Sequence, residues 1–134
     1  MIYLASPYSN LHPEWRQALY ERACEATIGL MKRKKVVFSP IVHCHPLAVL
    51  GGFGTDFKQW GKFCLRILKA SDVMYILMLT DWEKSVGIAK EYLFCLEHSI
   101  PVKFLHPDSL RAVEFRTVYR WMQEEFLKNL EKHK

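Results

Sequence analysis

The first candidate for chemistry is a glutamate just beyond the most apolar run of the chain. That run, residues 73–79, breaks into a polar turn, and an apolar pattern of helical period then restarts before Glu91. The change of pattern predicts a buried strand leading into a helix, and open α/β sheets bind ligands at the carboxyl ends of their strands. Ser85 and Gly87, at the turn, could offer a hydroxyl and backbone N–H groups to an anion. Glu91 would then lie close enough to act as a nucleophile or base.

Two other polar segments follow predicted strands. One is the turn-rich segment 6–10, which begins with Ser6 and ends with Asn10; the other is a predicted loop over residues 41–56 that contains His43 and His45. If the histidine segment were extended, both rings would face one side, and with Cys44 or His12 they could hold a metal. The sequence offers no convincing third ligand. We therefore expect no metal, and a substrate-contacting or loop-stabilising role for the two histidines.

Alternating strands and helices must position these side chains. Hydrophobic periodicity predicts strands at residues 2–5, 36–38, 73–79 and 100–105, and helices at 13–33, 57–70, 86–98 and from about 108 onward. This order predicts a three-layer α/β/α fold of the Rossmann or flavodoxin type, with a small, mainly parallel sheet of four to five strands. Right-handed crossovers would bring the carboxyl ends of the first three strands to one edge.

Composition limits the classes of function. With 134 residues, half of them hydrophobic, the chain is expected to form one domain over residues 1–134. It has no signal-peptide pattern and no apolar run long enough to cross a membrane, so we expect a soluble, cytoplasmic protein without a membrane partner. The net charge of +5 includes a basic run at 32–35 that closes a helix. This distribution predicts no nucleic-acid partner and suits a small anionic substrate.

The three loops and the glutamate together resemble a known superfamily. The motifs are Tyr3-Leu4-Ala5-Ser6-Pro7-Tyr8, then Phe38-Ser39-Pro40-Ile41 with His43-x-His45-Pro46, then Trp82-x-x-Ser85-x-Gly87 and Glu91. In order and spacing they resemble the nucleoside 2-deoxyribosyltransferase superfamily, which includes nucleoside 5′-monophosphate N-glycosidases. The nearest resemblance is to a small uncharacterised branch found in phage and bacterial genomes, and it covers residues 2 to about 105.

The resemblance implies chemistry at the anomeric carbon of a nucleotide. The glutamate of the family attacks C1′ as the base departs, and its position matches Glu91. The orienting tyrosine matches Tyr3, and the serine that holds phosphate in the monophosphate hydrolases matches Ser6. Ser85 stands where the free-nucleoside transferases carry an aspartate, which favours a nucleoside 5′-monophosphate as the substrate. The family needs no cofactor and often completes its sites with a neighbouring subunit, so a homo-oligomer (a dimer or larger) is expected.

One position departs from the family pattern. The family carries an acid eight residues before the aspartate that opens the third strand, and here that position is Cys64. A thiol cannot replace a carboxylic acid that protonates the leaving base. Asp56 and Asp81 are possible substitutes. Other residues expected to contact the substrate are Pro7, Tyr8, His43, His45, Trp60 and Trp82.

Two alternatives to an enzyme stay open at this point. The missing acid favours a catalytically altered module that binds nucleotides without turnover. A protein acting only through protein contacts would also tolerate the basic surface.

Overall fold

The sheet has five strands and is mainly parallel. The computed structural model describes residues 1–9 and 12–134, so Asn10 of the predicted first loop lies outside the described residues. The strands are β1 (Ile2–Ala5), β2 (Val37–Phe38), β3 (Val73–Leu77), β4 (Val102–Leu105) and β5 (Ala112–Val113), in the order β2-β1-β3-β4-β5. β1 pairs in parallel with β2 and β3, and β3 with β4, whereas β5 runs antiparallel to β4.

Helices cover both faces of this sheet. They are α1 (Pro13–Lys32), α2 (Pro40–Gly51), α3 (Phe57–Lys69), α4 (Val86–Glu97) and α5 (Arg120–His133), with 3₁₀ turns at Trp82–Lys84 and Phe115–Thr117. Alternate strand residues point to opposite faces. Leu4 and Leu77 therefore pack with α1, whereas Tyr3 and Ile76 pack with α3, α4 and α5. The predicted three-layer α/β/α class is confirmed.

The prediction of a loop over residues 41–56 is wrong, because most of that segment is α2. Ser39 caps the helix by accepting a hydrogen bond from the Val42 N–H at 3.2 Å, and Pro40 occupies the first turn, where its missing N–H costs nothing. Gly52 ends the helix with a left-handed φ of 68°. Pro46 and the glycines had indicated a loop, yet the helix keeps Pro46 because burying Cys44 and Ala48 offsets the lost backbone hydrogen bond.

The predicted helix from residue 108 is also wrong over its first part. Residues 112–113 form β5 on the edge of the sheet, a 3₁₀ turn follows, and α5 begins only at Arg120. The apolar stripe of α5 packs within the chain. Phe126 is fully buried against Trp82 and Phe104, with ring centroids 5.1 and 6.1 Å away.

Three further features concern membrane-spanning length, the cysteine thiols and the amino edge of the sheet. Within residues 1–9 and 12–134, no helix is both long and apolar enough to cross a membrane. The four cysteines are free thiols, and Cys44, Cys64 and Cys95 are buried. Asp72 lies at the amino edge of β3, where it pairs with the N-terminal amine of Met1, as suits a structural residue.

Candidate active site

A half-open pocket lies at the carboxyl edge of β1 and β3. Its void is about 520 Å³ when the open mouth is included. The loop after β1, the first turns of α2 and α3, and the start of α4 surround it. The lining residues are Ser6, Tyr8, Ser9, Pro40, Ile41, Cys44, Thr55, Asp56, Phe57, Trp60, Cys64, Ser85, Gly87 and Glu91. Among the lining residues that the structure describes there are two carboxyl groups and no lysine or arginine.

Glu91 is the buried acid of the pocket. It lies in the second turn of α4 with 6% of its surface exposed, and its Oε2 accepts a hydrogen bond from the hydroxyl of Tyr3. Tyr3 is fully buried on β1, between β2 and β3 in the sheet, so its ring has little freedom to move. A strand inside the sheet thus fixes the orientation of a carboxyl group that belongs to a helix.

Burial shifts the acid–base behaviour of this pair. Loss of solvation raises the pKa of Glu91 to about 8, although the hydrogen bond from Tyr3 opposes the shift. Burial and the nearby Glu91 carboxylate together raise the pKa of Tyr3 well above its usual value. Tyr3 therefore stays a neutral donor, and Glu91 exchanges its proton near neutral pH. A carboxyl group with this behaviour is typical of catalytic sites.

The end of the pocket formed by Ser6, Ser85 and Gly87, called here the anion end, is suited to a negatively charged group. Ser6 is buried after β1, and its Oγ has no hydrogen-bond partner among the described residues. Ser85 caps α4, with its Oγ accepting from the Ile88 N–H at 3.3 Å. The N–H groups of Val86 and Gly87, in the first turn of α4, have no acceptor within the helix. A free hydroxyl and a helix N-terminus therefore meet in the pocket, where they favour negative charge.

The rim is built by the first turns of α3. Asp56 caps this helix, with Oδ1 accepting from the Gln59 N–H at 2.9 Å, and its carboxyl group is exposed at the pocket. Trp60 donates from Nε1 to the Gly54 carbonyl at 2.7 Å, which fixes the indole over the mouth. Ser9 donates to the Thr55 carbonyl at 3.0 Å and ties the two loops of the rim together.

Cys64 lies in the pocket beside the Tyr3–Glu91 pair. It is buried on α3, and interaction with the Cys44 thiol, followed by burial, raises its pKa. The thiol therefore stays protonated and neutral at physiological pH. It offers a small, weakly polar surface to the pocket, and the acids among the described lining residues are Asp56 and Glu91.

Neither of the two histidines, for which a substrate-contacting or a loop-stabilising role was open, lines the pocket. Residues two apart on a helix point in nearly opposite directions, and α2 separates the rings accordingly. His43 is exposed and stacks on Phe63, with ring centroids 5.3 Å apart. His45 is buried behind Tyr8, where Nδ1 shares a hydrogen bond with the tyrosine hydroxyl and Nε2 with Gln17 Oε1 at 2.8 Å. Burial lowers the pKa of His45, so it supports Tyr8 as a neutral ring.

Asp81, Trp82 and Pro7 also fall outside the lining. Asp81 is exposed at a left-handed φ of 66°, its Oδ1 lies 3.9 Å from Lys84 Nζ, and it does not line the pocket, so the geometry gives its carboxyl group no role there. Trp82 is fully buried against Phe104 and Phe126, which excludes it as a stacking surface for a base. Pro7 is buried next to the pocket without lining it.

More than half of the residues that line the pocket were predicted from the sequence, and the others were missed. Eight predicted residues line it: Ser6, Tyr8, Asp56, Trp60, Cys64, Ser85, Gly87 and Glu91. The missed residues are Ser9, Pro40, Ile41, Cys44, Thr55 and Phe57. Ser39-Pro40 is a typical start of a helix and could have placed Ile41 and Cys44 on one. In the described part of the chain, no group of three or more His, Cys, Asp or Glu side chains is arranged to hold a metal ion.

Comparison with known proteins identifies the family of this chain. No curated protein shows significant sequence similarity to the chain. A family model described as "Domain of unknown function (DUF1937)" matches residues 1–107, which include every strand but β5 and every residue that lines the pocket. The match covers well over half of the 134 residues, and the chain therefore belongs to the DUF1937 family.

Proposed function

We propose that the protein is a nucleoside 5′-monophosphate N-glycosidase or 2-deoxyribosyltransferase in which Glu91 is the nucleophile. The observation that carries the proposal is the buried Glu91 carboxyl group, which lines a pocket while Tyr3 holds one of its oxygens. Such a group is oriented before any substrate arrives, as covalent catalysis requires. The motif positions that resemble the 2-deoxyribosyltransferase superfamily supply the reaction class.

In the proposed reaction, the ionised Glu91 carboxylate attacks C1′ of the sugar while the glycosidic bond breaks. The bonding electrons leave with the base, which takes a proton from the Asp56 carboxyl group or from water. The product is an ester between Glu91 and C1′. Water then attacks C1′ in a hydrolase, or a second base does so in a transferase. The bond between C1′ and the Glu91 oxygen breaks, its electrons restore the carboxylate, and the proton lost by the attacking molecule goes to the Asp56 carboxylate or to water. The scheme needs no cofactor.

The anion end of the pocket supports a phosphate on the substrate. Because the described part of the lining has no lysine or arginine, a phosphate there would depend on the Ser6 hydroxyl, the Ser85 hydroxyl and the N-terminus of α4. Each of these groups can donate to phosphate oxygens, and the buried Ser6 Oγ would gain the partner it lacks. A nucleoside without phosphate would leave this end unfilled.

Cys64 favours one alternative, a nucleotide-binding module without turnover. The neutral Cys64 thiol cannot protonate a leaving base, and Asp56 lies at the exposed rim rather than beside Glu91 in the buried part of the pocket. Such a module would bind the same nucleotides through the same pocket. Measurements of turnover and of binding separate the two functions.

A second copy of the chain is part of the proposal. α2 has no Asp, Glu, Lys or Arg, yet Leu47, Val49 and Leu50 on it are exposed. The first turns of the same helix line the pocket. A second copy seated on α2 would bury these side chains against the helix that also lines the pocket, which fits the resemblance to a superfamily whose sites a neighbouring subunit often completes.

The test is release of free base from a panel of ribo- and deoxyribonucleoside 5′-monophosphates, with a second base also offered as acceptor. We expect wild-type turnover on at least one member, a fall of more than about 10³-fold in Glu91→Gln, and unchanged turnover in Glu97→Gln. The control changes an exposed glutamate at the end of the same helix. Calorimetric binding of a nucleotide without any base release would establish the binding module instead, and neither binding nor release would overturn both.

A further inference from the structure

We infer that Asn129 on α5 is a positioning residue that sets the geometry of the anion end of the pocket. Asn129 does not line the pocket, and it contacts no lining side chain to which we give a catalytic or binding role. It acts on the backbone of the turn that precedes α4. The inference rests on the proposed function only for the identity of the anion, since the contact itself is a feature of the fold.

The contact joins one buried amide to two carbonyl groups. Asn129 is 7% exposed, and its Nδ2 donates to the carbonyl oxygens of Glu83 at 3.1 Å and Ser85 at 3.0 Å. Carbonyl oxygens only accept, so the NH₂ group of the side chain must face them. An amide has two N–H donors on one nitrogen and satisfies both carbonyls at once. An aspartate of the same shape would place oxygen against oxygen.

Holding the Ser85 carbonyl also fixes the N–H group that follows it. The peptide unit between Ser85 and Val86 is planar and trans, so its C=O and N–H point in opposite directions. The Ser85 oxygen already accepts from the Ala89 N–H at 3.1 Å, and Asn129 adds a second donor from outside the helix. Together they direct the Val86 N–H out of the helix N-terminus, the end that lies at the pocket through Ser85 and Gly87.

A second side chain of α5 holds the same turn. Phe126 lies one helical turn before Asn129 on the same face, and its ring packs 5.1 Å from that of Trp82, at the start of the 3₁₀ turn. The turn between β3 and α4 is thus fixed by packing at Trp82 and by hydrogen bonds at Glu83 and Ser85. Both contacts come from beyond residue 107, where the match to the family model ends. This C-terminal helix therefore gives the anion end a support that the matched segment does not contain.

The test compares Asn129→Ala with Leu130→Ala. Both residues are buried on α5, but Leu130 is apolar and makes no hydrogen bond to the turn. Binding of the common deoxynucleoside 5′-monophosphates, the matching nucleosides and inorganic phosphate is measured by calorimetry on the full chain. We expect Asn129→Ala to weaken phosphate-bearing ligands by about tenfold while nucleoside affinity stays the same. Leu130→Ala is expected to lower the melting temperature without changing the ratio of the two affinities.

A readout without ligand separates this inference from the proposed function. The Ile88 and Ala89 N–H groups both bond to Ser85, so their hydrogen exchange reports on the capped first turn of α4. Exchange at these two amides should accelerate in Asn129→Ala relative to Leu130→Ala, whether or not the protein binds nucleotides. Equal exchange in the two variants, or an equal loss of nucleoside and nucleotide affinity, would overturn the positioning role.

Discussion

At the residue scale, a rise in pH has opposite effects on the two contributions of the buried Glu91 carboxyl group: its contribution to stability falls, and its expected contribution to activity rises. Its pKa rises from a usual value of 4.5 to about 8 in the folded chain, so the folded state holds a proton that the unfolded state releases. This contribution to stability is fully present below pH 4.5 and is lost as the pH rises toward 8. Nucleophilic attack needs the ionised form, which increases over the same range. The site is therefore expected to work best where Glu91 stabilises the fold least.

The hydrogen bond from Tyr3 leads to a prediction about that pH dependence. Because the bond favours the ionised carboxyl group, Tyr3→Phe should raise the pKa of Glu91 further. The value of kcat/KM should rise with pH through an apparent pKa near 8 in the wild type and through a higher one in the variant. The measurement is base release as a function of pH at low substrate concentration. A rate that falls as the pH rises through this range would mean that Glu91 acts as an acid and would contradict its role as nucleophile.

At the element scale, α2 is the helix that could not be predicted from the sequence. Pro46 and the Gly51-Gly52 pair are strong signals for a loop. The helix depends on burial of Cys44 and Ala48 against the rest of the fold, which cannot be predicted from the local sequence. A predicted loop does not fix the directions of His43 and His45, whereas the helix turns the two rings to nearly opposite sides. The helical ends were more accessible to prediction, since Ser39-Pro40 and Ser85 are recognisable caps.

The exposed side of α2 carries a prediction about assembly. Leu50 is 86% exposed on a helix without charged residues, and we expect a second copy to cover it. Leu50→Glu should then shift the protein toward the monomer in light scattering coupled to size-exclusion chromatography. The matched control is Leu96→Glu, which places the same charge on α4 at a leucine that is 60% exposed. A wild type that is monomeric at about 100 µM, or equal effects of the two variants, would contradict the proposed interface.

At the scale of the whole molecule, the fold was predictable and the site only partly so. Strands 2–5 and 73–79 are nearly continuous apolar runs, as expected for strands covered on both faces, and the intervening helices imply parallel pairing. That logic alone brings Ser6, Ser85 and Glu91 to one edge of the sheet. It could not place Trp82, because an aromatic residue after a strand suits a core as well as a pocket, and only the packing of Phe126 decides between them.

The most direct test of the account is a search for the ester between Glu91 and the sugar. Protein mixed with the substrate from the base-release panel is quenched in acid within the first turnovers, digested and examined by mass spectrometry. We predict that the peptide containing Glu91 gains the mass of one sugar phosphate after loss of the base, and that Glu91→Gln gains none. Base release at the wild-type rate with the label absent from Glu91, or present on another residue, would contradict the central claim that this carboxylate is the nucleophile.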